Sequence, residues 1–189
     1  MEDMKKIGVF IVLVVVLGIT GFNSAAEETS VDSTNQIPIE GLEAEVKGDM
    51  AGAIKIYNAY VSKNPKNINV WKKISDIESD LKHYNEAAAA MKKAIELDPK
   101  NTESYSTLSE IYSSADMPKE AVSAIEQALQ LDPNNINYLK TRSGLADWLD
   151  DLDKMEDSYN RILKIEPKDR DALLGILKVR EERKNQTKE

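Results

Sequence analysis

The stretches AAAAMKKAIELDPKN (residues 87–101) and AVSAIEQALQLDPNN (residues 121–135) decide the fold, because they are two copies of one pattern. Each contains an Asp-Pro pair, and a proline recurs every 34 residues, at Pro65, Pro99, Pro133 and Pro167. A fixed period of this size is typical of stacked supersecondary units. The sequence therefore predicts an all-α solenoid of antiparallel helix pairs.

Each 34-residue unit has room for two amphipathic helices. In the second unit, apolar residues recur at helical spacing over residues 71–81, and a second run of this kind covers residues 87–97. Pro99 ends the second helix because the residue before a proline is disfavoured in helical backbone, and Asn101 or Thr102 can cap the next helix. One such pair cannot bury its own apolar stripe, so we expect the pairs to stack.

The composition excludes several classes of function. The chain has 189 residues, of which 41% are hydrophobic and 31% charged, which is a globular balance. Its net charge of -8 disfavours nucleic acid as a partner, because an acidic surface repels the phosphate backbone. The absence of cysteine excludes thiolate catalysis and a disulfide framework.

No pattern for catalysis, a cofactor or a metal stands out. His83 is the single histidine, and we expect it to be a solvated turn residue. The aspartates at 147, 150, 151 and 153 lack the glycine and the closing glutamate of a calcium loop. They are predicted to sit at helix ends and to cap the second helix of their unit. We therefore expect a protein that is not an enzyme and that binds no cofactor or metal.

The N-terminal segment is predicted to direct the repeats out of the cytoplasm. Lys5 and Lys6 precede an apolar run over residues 7–19. A short run of small residues, of the kind found before a signal-peptidase cleavage site, ends at Ala26. Residues 1–26 fit either a cleaved signal peptide or a retained signal-anchor helix, in which case residues 7–22 would associate with the membrane. Residues 27–36 read as a flexible polar linker. We expect a secreted or membrane-anchored protein with its repeats on the outer side.

The units resemble the tetratricopeptide repeat (TPR) family, whose pattern is Trp-x2-Leu-Gly-x2-Tyr, then Ala-x3-Phe, then Ala, then Pro. The second unit matches with Trp71, Ile74, Ser75, Ala87, Met91, Ala94 and Pro99, but has Glu78 in place of the tyrosine. The third matches with Tyr105, Leu108, Ser109, Tyr112, Ala121, Ile125, Ala128 and Pro133. The first and fourth are weaker, with Gly41, Ala44, Ala53, Tyr57 and Pro65, and with Ser143, Ala146, Tyr159 and Pro167.

Small residues fall where the two helices of a pair must approach closely. They are Gly41, Ser75, Ser109 and Ser143 on the first helices and Ala53, Ala87 and Ala121 on the second helices. A larger group at such a contact typically costs about 1–3 kcal/mol through overpacking. Arg142 and Met155 depart from this pattern, and predict an irregular fourth pair.

The expected solenoid covers residues 37–184, in repeats at about 34–67, 68–101, 102–135 and 136–169. Residues 170–184 are predicted to form a closing helix with an apolar face made by Leu173, Leu174, Ile176, Leu177 and Val179. Residues 185–189 are expected to fray.

The resemblance implies that a partner protein or peptide binds in a concave groove lined by the first helix of each pair. By the family register, the candidate groove residues are Asn69, Lys72, Asp76, Asp80, Glu103, Ser106, Glu110, Asn137, Lys140, Asp147 and Trp148. Acids outnumber bases among them, which favours a partner segment bearing Lys or Arg. The alternative is an ordinary solvated helix face, and Trp148 either lines the groove or packs on the closing helix.

Some TPR proteins hold a chaperone's C-terminal carboxylate in a clamp of basic and amide side chains. Lys72 matches that clamp, but Asp76, Ser106 and Thr141 do not, so the sequence does not support a chaperone-tail partner. The leading hypothesis is a non-enzymatic scaffold that binds a protein outside the cytoplasm. The second is an assembly subunit of a membrane-associated complex that acts by end-on packing of the repeats.

Overall fold

The structure, a computed structural model, describes residues 36–186. Within that range the chain forms nine α-helices and no strand, which confirms the predicted all-α class. The helices are α1 Ile39–Val46, α2 Met50–Lys63, α3 Ile68–Asp80, α4 Tyr84–Leu97, α5 Thr102–Ser114, α6 Pro118–Leu131, α7 Ile136–Trp148, α8 Leu152–Ile165 and α9 Arg170–Gln186. Each packs on the next along the chain, so the helix pairs stack in one dimension.

The residue two positions after each repeat proline caps the helix that follows. A side-chain oxygen of Asn101 accepts a hydrogen bond from the backbone N–H of Ser104, at 3.0 Å, so Asn101 rather than Thr102 is the cap. The same geometry recurs every 34 residues, at Asn67 (to Val70, 3.0 Å), Asn135 (to Tyr138, 3.3 Å) and Asp169 (to Ala172, 2.8 Å). The period therefore fixes where α3, α5, α7 and α9 begin.

The turn inside each pair also repeats every 34 residues. Gly48, Lys82, Asp116 and Asp150 all have positive φ, between 55° and 77°. Glycine adopts this left-handed backbone freely, whereas a side chain is disfavoured there. The turn geometry is thus common to all four pairs, although only the first has glycine.

In the second and third pairs, a serine hydroxyl bonds the facing helix. The hydroxyl of Ser75 donates to the carbonyl of Ala87 at 2.9 Å, and that of Ser109 donates to the carbonyl of Ala121 at 2.8 Å. All four residues are fully buried. The prediction of a close approach at small residues is correct here, because a side chain as short as serine can reach a carbonyl of the facing helix only where the two helices lie close together.

Glycine takes the serine's place in the first pair, because a tyrosine ring fills the contact. A Cβ added to Gly41 would lie 2.2 Å from Cε1 of Tyr57. Gly175 of α9 faces Tyr159 of α8 in the same way, with a Cβ at 2.3 Å from the ring. These two positions require glycine for space.

The fourth pair is held differently. Ser143 bonds within its own helix, to the carbonyl of Lys140 at 2.8 Å, and Met155 is fully buried where the other pairs have alanine. Arg142 lies beside this contact, largely buried; its Nε donates to Oγ of Ser158 at 2.8 Å and its guanidinium pairs with Asp157. The pair remains packed, with an arginine bond replacing the serine-to-backbone bond.

The last helix has two apolar faces. Ile176 and Val179 pack against the array together with Ala172 and Gly175. Leu173, Leu174 and Leu177, predicted on the same face, are instead 47%, 53% and 58% exposed. The helix also runs to Gln186, two residues beyond its predicted end.

The predicted signal or anchor segment and most of the predicted linker lie outside the described residues. Within residues 36–186, none of the helices combines the length and the apolar character needed to cross a membrane.

Candidate functional site

The predicted groove residues all lie on the first helices of the second to fourth pairs. We call the solvent-accessible surface of α3, α5 and α7 the first-helix face. Lys72 and Ser106 are half-buried, and the other nine candidates are exposed. The sequence thus placed these side chains on accessible surface, but the structure does not bring all of them together.

A pocket of about 350 Å³ lies between α3 and α5. We call it the acidic pocket, because three of its seven lining residues, Asp76, Asp80 and Glu110, are acidic. Its other lining residues are Ser79, Thr107, Ile111 and Ser114. The lining contains no basic residue.

Among residues 36–186, none of these three carboxylates forms an ion pair. Desolvation by partial burial raises the pKa of the Asp76 carboxyl; Lys73 and Lys72 oppose the shift, and Asp80 adds to it. Asp76 and Asp80 are also one helical turn apart, a spacing at which like charges destabilise a helix. The pocket therefore holds three carboxylates that no ion pair within residues 36–186 neutralises.

The candidates of the fourth pair are neutralised by the last helix. Nζ of Lys140 lies 3.0 Å from a carboxylate oxygen of Asp169 and 3.7 Å from one of Asp171. The Asp147 carboxylate lies 2.6 Å from Nζ of Lys178. These pairs join α7 to the start and middle of α9, so these charges serve the contact between the helices.

The remaining candidates do not line the acidic pocket, although the Ser106 hydroxyl lies 3.5 Å from a carboxylate oxygen of Glu110. Trp148 is 49% exposed and belongs to none of the buried apolar clusters in the described part of the chain. Glu103 and Asn137 occupy the first turns of α5 and α7, next to the caps. None of these residues lines the pocket.

The pocket's uncharged lining and a neighbouring charge cluster are absent from the sequence predictions. Ser79, Thr107 and Ser114 lie three or four residues from Asp76 or Glu110, a spacing that could identify them, whereas Ile111 directly follows Glu110 and has no such signal. Lys73 pairs with Glu45 of α1 at 3.0 Å, and the Tyr57 hydroxyl donates to the same carboxylate. Burial raises the pKa of Glu45, but these hydrogen bonds outweigh it and hold that pKa below its ordinary value.

His83 has an acidic partner that its sequence neighbourhood did not indicate. Nδ1 of His83 lies 2.8 Å from a carboxylate oxygen of Glu78, whose side chain is largely buried, whereas the histidine side chain is 58% exposed.

Asp151 caps α8 as predicted, accepting from the backbone N–H of Lys154 at 3.0 Å. In the part of the chain that the structure describes, no three His, Cys, Asp or Glu side chains are grouped as metal ligands would be.

A sequence-family model described as a tetratricopeptide repeat matches residues 79–145, which include the whole of the third unit. The chain has the fold of a TPR protein. A search of curated protein sequences gave no match.

Solved structures agree on this fold. A crystal structure of a MamA protein is 24% identical, with a TM-score of 0.63, over 76% of this chain and 78% of that one. A TPR protein from Parabacteroides merdae is 21% identical, with a TM-score of 0.66, over 78% of this chain and 59% of that one. The first TPR domain of Spaghetti (RPAP3), bound to the HSP90 peptide SRMEEVD, is 21% identical, with a TM-score of 0.51, over 60% of this chain and 90% of that one. At these identities the likeness concerns the TPR fold alone.

Proposed function

We propose that this chain is a non-enzymatic scaffold whose first-helix face binds a partner segment carrying Lys or Arg at the acidic pocket. The observation that carries the proposal is the set of three carboxylates, at Asp76, Asp80 and Glu110, which share one pocket without a cationic partner in the described chain. A lysine or arginine side chain entering the pocket would supply that partner.

These acids are locally unfavourable for the fold, which supports a role in binding. Asp76 and Asp80 repel each other by about 0.2–0.5 kcal/mol in an isolated helix. Asp80 is also the last residue of α3, where the negative end of the helix dipole disfavours an acidic side chain. Charges that oppose local stability are expected at functional sites, where a ligand compensates for them.

The charge of the pocket distinguishes it from a site for an acidic tail. The RPAP3 domain is bound to a peptide that contains two glutamates and an aspartate. An acidic peptide would meet Asp76, Asp80 and Glu110 here, and close like charges disfavour binding. We therefore expect this chain to select a basic segment and to reject SRMEEVD.

The proposal implies a pH dependence of binding. The raised pKa of Asp76 means that this carboxyl takes up a proton at a higher pH than an ordinary aspartate does. A bound cation favours the ionised carboxylate, so affinity should be constant near neutral pH and fall as the pH passes down through that pKa. The Asp76→Asn variant should lose much of this dependence.

A peptide titration tests the pocket directly. We would measure the fluorescence anisotropy of a labelled decapeptide of alternating Lys and Ala, with an alternating Glu-Ala decapeptide as the charge control. The Asp76→Asn/Glu110→Gln variant should bind the basic peptide about tenfold or more weakly, since each lost charge-assisted contact is worth roughly 1–2 kcal/mol.

The matched control is Glu86→Gln/Glu120→Gln. Both residues are exposed, lie in the first turns of α4 and α6, and are outside the pocket lining. The two double variants change the net charge equally, so they separate the pocket from general attraction to an acidic protein. Equal weakening in both, or no weakening in either, would refute the pocket.

We also propose that the repeats work outside the cytoplasm. Lys5 and Lys6 before the apolar run at residues 7–19 support this orientation. A reporter that is active only outside the cytoplasm, fused after Gln36, should be active. Activity of a cytoplasm-only reporter at the same position would contradict the proposal.

A further inference from the structure

The outward side of α9 carries an apolar stripe that no described residue covers. Leu173, Leu174 and Leu177 are each about half exposed, and at 100° per residue they lie opposite the buried face formed by Ala172, Gly175, Ile176 and Val179. Single exposed leucines are ordinary, but three on one face of one helix form a contiguous patch. This surface is separate from the first-helix face, and its function does not depend on the acidic pocket.

The stripe is symmetric in sequence and opposite in charge at its two ends. Arg170, Leu174, Leu177 and Glu181 follow one another at spacings of four, three and four residues. Arg170 and Glu181 are both exposed, and neither forms an ion pair with another residue in the 36–186 range. Because the order is cation, leucine, leucine, anion, a second copy of the helix running in the opposite direction places its anion against the cation and its cation against the anion.

We propose that α9 pairs with α9 of a second copy of this chain in an antiparallel, two-fold symmetric contact. In that register Leu174 packs on the partner's Leu177, and Arg170 meets the partner's Glu181. Each contact occurs twice, as a two-fold interface requires. The 4-3-4 spacing is also that of the apolar seam of paired helices, where flanking charges set orientation and register.

The alternative occupant is α1 of a second copy. Its exposed apolar residues are Ile39 and Val46, which are 69% and 89% exposed. Such a head-to-tail contact would not close and would produce growing polymers, whereas the two-fold contact stops at two copies. The self-complementary charges on α9 favour the closed dimer.

Cysteine crosslinking tests the register, and the chain has no cysteine of its own to interfere. We would prepare the full chain in mild detergent as Arg170→Cys, as Glu181→Cys, and as an equal mixture, and treat each with a short bismaleimide. In the proposed contact, position 170 of one copy lies beside position 181 of the other copy. The two copies of position 170 are about 16 Å apart along the helix axis, and so are the two copies of position 181. The mixture should crosslink up to about half of its dimers, and each variant alone should crosslink little.

Charge and apolar variants provide the second test, by sedimentation of the full chain. Arg170→Glu should shift the dimer to monomer, and Arg170→Glu/Glu181→Arg should restore the dimer. Such a rescue would not be expected if the two residues only stabilised the fold of each copy. Leu177→Gln should abolish the dimer, whereas Leu131→Gln, at a leucine of α6 that is 44% exposed, should leave it intact. A monomeric wild type, a polymer that grows with concentration, or equal crosslinking in all three samples would overturn the proposal.

Discussion

The two middle pairs and the fourth pair use charged residues for different purposes. In α3–α4 and α5–α6, the close contacts are made by Ser75 and Ser109 bonding to backbone carbonyls, and the acids of the first-helix face stay unpaired. In α7–α8, Arg142 makes the close contact, and Lys140 and Asp147 are engaged by α9. Where uncharged contacts hold a pair together, its surface charges remain available to a ligand.

The largest expected effect breaks the middle region at its contact point. Ala87→Glu places a carboxylate at a fully buried position with no partner, which should destabilise the array by about 3–5 kcal/mol. Ala89→Glu, two residues along the same helix at an exposed position, is the matched control and should change stability by less than about 0.5 kcal/mol. Urea unfolding followed by circular dichroism measures both, and equal midpoints would contradict the packing described here.

The second prediction compares the two kinds of contact. Arg142→Ala removes a charged hydrogen bond to buried Ser158 and should cost about 2–3 kcal/mol, whereas Ser109→Ala removes a neutral bond and should cost about 1 kcal/mol. The same unfolding measurement gives both values. If Ser109→Ala is the more damaging, the fourth pair does not depend on its arginine.

The third prediction concerns the turns, which all four pairs share. Asp116→Gly and Asp150→Gly should each stabilise the chain by up to about 1 kcal/mol, because glycine relieves the left-handed backbone strain at two positions that both carry aspartate. The turn is the same in both regions, so the two gains should agree. Thermal unfolding measures both gains in stability. A gain at one turn only would mean that the turns themselves differ between the two regions.

The smallest expected effect separates free from paired acids. Asp76→Asn should stabilise the chain by a few tenths of a kcal/mol near neutral pH, and Asp147→Asn should destabilise it slightly through loss of the bond to Lys178. The stabilising effect expected of Asp76→Asn follows from the raised pKa of the Asp76 carboxyl. The folded chain binds that proton more tightly than the unfolded chain, so Asp76 lowers stability as the pH rises from the ordinary aspartate pKa to the raised one.

The Asp76→Asn variant should not show this fall in stability with rising pH. Unfolding midpoints recorded from below the ordinary aspartate pKa up to neutral pH provide the check. Opposite signs for the two substitutions would support the comparison, and a loss of stability in both would show that Asp76 has a partner in the folded chain.

What the sequence predicts well is what repeats. The prolines, the caps such as Asn101 and the Ser109–Ala121 contact recur every 34 residues, so position in the period is enough to place them. The groove register likewise placed Asp76 and Glu110 on accessible first-helix surface.

What the sequence predicts poorly is what occurs once. Lys178 reaches Asp147 across 31 residues, and Arg142 bonds to Ser158 across 16, and neither pairing follows from the period. Leu173, Leu174 and Leu177 turn outward because apolar residues this closely spaced cannot all share one face of a helix. Individual ion pairs and the two faces of a terminal helix depend on three-dimensional placement that one sequence pattern does not specify.

The most direct test of the central claim compares one position in the two regions. Thr107 and Thr141 are 34 residues apart, both are half-buried, and Thr107 lines the acidic pocket whereas Thr141 lies on the helix whose charges α9 engages. A Lys-Ala decapeptide ending in cysteine would be offered separately to Thr107→Cys and Thr141→Cys, and disulfide capture measured at low and high salt. We expect at least several-fold greater capture at position 107, lost at high salt. Equal capture at the two positions, or greater capture at 141, would contradict the account.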